Sequence, residues 1–84
     1  MNKFYGSMIC ADCVEAFEYL DKISYNYEFV NITESVEKMK EFLSLRDNRK
    51  EFEEVKKEGY IGIPTILTED DKLIIGDDVF EIKK

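Results

Sequence analysis

Two hydrophobic periods alternate along this chain, and their order lays out the elements. Lys3 to Tyr5, with Gly6 at its end, reads as a short first strand. Val14, Phe17, Leu20 and Ile23 then recur at helical spacing, with Cys13 and Ala16 beside them, so a first helix begins at Cys10. Tyr25 to Ile32 alternates and is rich in aromatic and β-branched residues, which predicts a second strand over Tyr27 to Asn31. A helix crosses between these strands, so they should run parallel as a βαβ unit.

The second half changes period twice more. Val36, Met39, Phe42 and Leu43 share a helical face behind a cap at Thr33 or Ser35, until Asp47 and Asn48 interrupt. Asn48 and Glu51 have the spacing of a capping box, which predicts a further helix with Phe52 and Val55 inward that runs to Gly59. Pro64 precedes the run Thr65 to Thr68, the polar turn Glu69 to Lys72 and the run Leu73 to Ile75, which together read as a β-hairpin. After Gly76-Asp77-Asp78, the stretch Val79 to Lys84 suffices for one or two helical turns or a short extension.

Composition narrows what such an α/β chain can be. Its 84 residues make one domain, 1–84, with a thin core. The net charge of −7 argues against nucleic acid or an anionic membrane as the main partner. No apolar run approaches the ~18–20 residues of a membrane span, and Met-Asn-Lys leads into a strand without a signal peptide, so a cytoplasmic, monomeric protein is expected. Two cysteines and no histidine cannot build a four-coordinate zinc site of Cys and His alone, and no metal is expected. Arg46 and Arg49 are the only arginines; a surface ion pair is their expected fate, against a bidentate grip on a substrate carboxylate.

The chemistry concentrates at Cys10-Ala11-Asp12-Cys13. A helix starting at Cys10 would aim its unpaired N–H groups at that sulfur and favour the thiolate, which makes Cys10 the nucleophile and Cys13 the resolving thiol. In a reducing compartment this spacing points to redox chemistry ahead of a structural pair or half of a metal site. Asp12 complements the helix dipole, and its charge also opposes a thiolate beside it.

With these elements in this order, the chain resembles the thioredoxin-fold superfamily, and Tyr5-x-Ser7-x-x-Cys10-x-x-Cys13 is similar to the active-site entry of glutaredoxins. Gly76-Asp77-Asp78 stands where that family carries Gly-Gly followed by an acidic residue, and Ile63-Pro64-Thr65 matches the Ile-Pro-Thr segment of thioredoxins. The resemblance implies a thioredoxin-like fold, a four-stranded mixed sheet flanked by helices with a shortened C-terminal helix. It also implies a cis Ile63–Pro64 bond across from Cys10, an Ile63 backbone that holds an extended substrate, and a glutathione carboxylate received at Gly76 and Asp77. The chain departs from glutaredoxins at Ala11, Asp12 and Asp77 and in lacking a basic residue at Met8 or Ile9.

The expected function is a small dithiol–disulfide oxidoreductase reducing protein or low-molecular-weight disulfides through Cys10 and Cys13. It requires no cofactor, with glutathione a candidate co-substrate and glutathione or a thioredoxin reductase the reductant. Two other classes fit the same residues: an iron–sulfur cluster protein whose ligands come from two chains, and a non-catalytic interaction module of the same fold.

Overall fold

A computed structural model describes residues 1–83. Four strands form one mixed sheet: β1 (Lys3–Gly6), β2 (Glu28–Asn31), β3 (Thr65–Leu67) and β4 (Leu73–Ile75), in the order β2-β1-β3-β4. β1 lies parallel to β2, with Tyr5 opposite Val30, and antiparallel to β3, with Tyr5 opposite Thr65. β3 and β4 are the arms of the hairpin, with Thr65 opposite Ile75. Three helices connect them: α1 (Ala11–Lys22), α2 (Val36–Asn48) and the short α3 (Glu53–Lys57). No helix among the described residues is long and apolar enough to cross a membrane.

The period of two along β1 divides the core. Phe4 points to one face, where Ala16 and Leu20 of α1 meet Ile66 and Val79, and Tyr5 points to the other, where Val30 and Ile32 meet Phe42 and Phe52. On the first face the Phe4, Phe17 and Phe29 rings stack edge-on or tilted, with centroids 4.6 to 5.3 Å apart.

Several boundaries differ from the sequence expectation. Cys10 caps α1 instead of starting it, and β2 begins at Glu28 instead of Tyr27. Ser35, not Thr33, caps α2 by accepting the Lys38 N–H at 3.2 Å. The Asn48–Glu51 capping box does not form. Asn48 is the last residue of α2 and donates its amide to the Ser44 carbonyl, while Arg49 turns extended and pairs with Glu51. A 3₁₀ turn over Lys50–Phe52 and then α3 stand in place of one continuous helix. β3 ends at Leu67, because Thr68 turns into the hairpin by accepting the Asp71 N–H. The terminal segment is a 3₁₀ helix over Gly76–Glu81, starting earlier than expected, and the end of the predicted stretch, Lys84, lies outside the described residues.

The largest departure concerns α2. Of the expected inward face only Phe42 is buried, with Leu45 half-buried beside it, while Val36, Met39 and Leu43 are exposed. At 3.6 residues per turn these make two apolar stripes roughly a third of a turn apart. α2 rests on the sheet with the Phe42–Leu45 stripe, and the other faces solvent.

Candidate functional site

Because Tyr5, Thr65 and Ile75 lie side by side across the sheet, the residues after β1, before β3 and after β4 all emerge at one end of it. That end gathers the sequence-predicted site residues. Cys10, Ile63, Gly76 and Asp77 line a common groove of about 740 Å³ together with Asp12 and Tyr60. Pro64 is buried behind it, and its bond to Ile63 is cis.

The turn between β1 and α1 is built by Ser7. Its carbonyl accepts the Cys10 N–H at 3.2 Å, and its hydroxyl accepts the Ile9 N–H at 3.3 Å while sharing a 2.7 Å hydrogen bond with the Thr33 hydroxyl. Cys10 then has extended backbone angles, and its sulfur accepts the Cys13 N–H at 3.3 Å. Helix caps are usually oxygen acceptors, so here a sulfur takes the place of a Ser or Asp oxygen. Cys10 is partly exposed and Cys13 fully buried, and both are free thiols.

Burial is the first reason that the Cys13 thiol is pushed up to about 12. Its hydrogen bond to the Cys10 sulfur and the negative charges of Cys10 and Asp12 act in the same direction, against a bond from the Ser7 backbone that lowers it. At neutral pH Cys13 therefore keeps its proton. The depth of Cys13 depends on Gly6: a Cβ there would come within 2.9 Å of the Phe4 ring and 3.2 Å of the Cys13 sulfur. A glycine closing a strand directly before a Cys-x-x-Cys segment is the signal by which the sequence could have shown this close approach.

Burying that thiol also makes stability depend on pH. A thiol held up in the folded state stabilises fully below the unfolded value of about 8.5 and loses that contribution as pH climbs toward 12. In reducing buffer the stability advantage of wild type over Cys13→Ala is expected to shrink by roughly 1–2 kcal/mol between pH 8 and pH 10. Denaturant midpoints at the two pH values measure it; an advantage that stays constant would mean that Cys13 is not held as the thiol.

The segment before Pro64 is held from α2. Arg46 donates from Nε to the Ile61 carbonyl and from Nη2 to the Tyr60 carbonyl, both at 2.7 Å, instead of forming only the expected surface pair. Its contact with Asp47 is 3.7 Å. Arg49 behaves as expected, bridging Glu51 and Asp71 at 3.0 and 3.2 Å. Gly62, at φ +104°, packs where a Cβ would press on Phe52 and Val55, and its carbonyl accepts the Thr65 hydroxyl. Ile63 lines the groove, and among the described residues neither its N–H nor its C=O makes a hydrogen bond, so both are left unclaimed by the fold. Gly76 differs from expectation: its N–H is donated to the Pro64 carbonyl at 2.8 Å and is not available for a carboxylate.

A second groove, of about 520 Å³, lies on the other side of Cys10 and is almost wholly apolar. Ile9, Met39, Leu43 and Ile61 form its rim, and Phe42 and Ile32 lie beneath. Cys10, Ile61 and Ile63 line both grooves and so form the ridge between them.

An uncharacterized protein of Haemophilus influenzae is 36% identical over 81 residues, covering 96% of this chain and 87% of its own length. The chain matches no protein-family model and no solved structure.

Proposed function

The chain belongs to the same family as the Haemophilus influenzae protein, and we propose that it is a small thiol–disulfide oxidoreductase of thioredoxin-like fold, glutaredoxin-like in its active-site entry. The observation that carries the proposal is the pairing of two unlike sulfurs: Cys10 partly exposed at a helix cap, its sulfur accepting the Cys13 N–H, and Cys13 fully buried in the first turn behind it. The order β1-α1-β2, helix, β3-β4, with the proline directly before β3, supports the fold assignment.

In the proposed reaction the Cys10 thiolate attacks one sulfur of a substrate disulfide. That bond breaks, the other substrate sulfur leaves as a thiolate that takes up a proton, and a mixed disulfide remains on Cys10. Cys13 then gives up its proton and attacks the Cys10 sulfur, releasing the second substrate thiol and closing a Cys10–Cys13 disulfide. The substrate gains two electrons and the chain loses them, so a thiol reductant that supplies two electrons must reopen the pair. Ile63 supports the step by offering its unbonded backbone groups to an extended substrate beside Cys10. Glutathione as co-substrate has less support, because Gly76 withholds its N–H and Asp77 places a negative charge where a carboxylate would arrive.

The test is turnover: the chain, recycled by dithiothreitol, should accelerate reduction of a peptide disulfide well beyond the rate with dithiothreitol alone. No acceleration over a range of chain concentrations would refute the proposal.

A further inference from the structure

The two grooves beside Cys10 are chemically opposite. The first carries two carboxylates, Asp12 and Asp77, both exposed, and no cationic side chain among its lining residues. The second carries no charged side chain at all, and its rim residues Ile9, Met39, Leu43 and Ile61 are 87%, 40%, 36% and 59% exposed. These apolar residues lie around a reactive sulfur and belong to three separate segments of the chain, the β1–α1 turn, α2 and the loop before Pro64. On a chain this small, a contiguous exposed apolar surface marks an interaction site.

A substrate cysteine joined to Cys10 sits on the ridge between the grooves, so residues flanking it on either side must enter one groove each. Along an extended backbone the two residues flanking that cysteine share a face about 7 Å apart, so a substrate chain that crosses the ridge lays one of them over each groove. We propose that the physiological substrate is a protein or peptide disulfide whose reacting cysteine has an aliphatic side chain on one flank and a lysine or arginine on the other. The aliphatic group occupies the groove of Met39 and Leu43, and the cation faces Asp12 and Asp77. This rests on the oxidoreductase reading and adds to it a substrate class. It also sets oxidised glutathione, with its carboxylates, among the poor substrates. A second copy of this chain is a poor occupant of the apolar groove, because two chains of net charge −7 repel one another.

The experiment measures kcat/KM of the full chain, recycled by dithiothreitol, on matched short peptide disulfides. The flanks are leucine and lysine in both orders, leucine and glutamate, and serine and lysine, with oxidised glutathione alongside. The better leucine–lysine order is expected to react about tenfold or more faster than the leucine–glutamate peptide at low salt, with the gap closing at about 0.5 M salt as the charges are screened. Asp12→Asn combined with Asp77→Asn should reduce that gap to below about threefold. Leu43→Ser combined with Met39→Ser should instead erase the preference for leucine over serine while leaving the charge preference in place. Equal rates on all the peptides would overturn the substrate assignment and leave the oxidoreductase function standing. Failure to reduce any of them would remove both. A dimer in sedimentation that Leu43→Asp dissociates would give the apolar groove to a second copy and overturn the proposal as well.

Discussion

Cys10→Ser is expected to abolish disulfide reduction, at least a thousandfold against wild type, whereas Cys13→Ser should still attack and then stall as a mixed disulfide. The asymmetry comes from burial: Cys10 is the sulfur that a substrate can reach, and Cys13 has no exposed surface and a thiol pushed up to about 12. Thiolate is the attacking species in exchange, so the partner that stays protonated cannot begin the reaction. Cys13 gains its opportunity only when the mixed disulfide puts a sulfur–sulfur bond within its reach. Mass spectrometry after challenge with a peptide disulfide should find the adduct on Cys10 of the Cys13→Ser variant. An adduct on Cys13 of the Cys10→Ser variant would reverse the roles. Under native conditions an alkylating agent should likewise modify Cys10 and spare Cys13.

Phe42→Ala should be the most damaging single truncation near the site. Phe42 is completely buried, with its ring centroid 5.8 Å from Tyr5 and 5.9 Å from Phe52, and it is the residue by which α2 is anchored to the sheet. Removing a buried phenylalanine costs about 3–5 kcal/mol, against a total of roughly 4–13 kcal/mol for a chain of this size. The neighbouring Leu43→Ser, on the exposed stripe, should cost less than about 1 kcal/mol. Urea midpoints of the two variants compare them. Equal losses would mean that Leu43 is buried by a partner or that α2 is not anchored through Phe42.

Much of the order of elements was legible from periodicity alone, because strands and helices here are short, uninterrupted and strongly patterned. The Cys10–Cys13 pair was legible as well, whereas the location of Ile63 and Pro64 opposite it came from the resemblance to the thioredoxin fold and not from periodicity. What periodicity could not supply was the choice between apolar stripes on one helix. Val36, Met39 and Leu43 satisfy helical spacing as well as Phe42 and Leu45 do, and only the position of the sheet decides which set is buried. The Asn48–Glu51 spacing failed for a related reason: a competing local bond from Asn48 to Ser44 and an extended Arg49 ended the helix there. Hydrogen bonds between distant segments, such as those from Arg46 to Tyr60 and Ile61, leave no periodic trace, and neither does the donation of the Gly76 N–H to Pro64.

The central claim is that Cys10 and Cys13 act as one two-electron couple. Equilibration of the full chain across a series of reduced and oxidised dithiothreitol ratios, quenched with an alkylating agent and read by intact mass, tests it most directly. A single transition from doubly alkylated chain to an unalkylated chain lighter by two hydrogens is predicted, with no disulfide-linked dimer at the midpoint. A chain that stays reduced at every ratio, or that oxidises only by linking two copies through Cys10, would contradict the account.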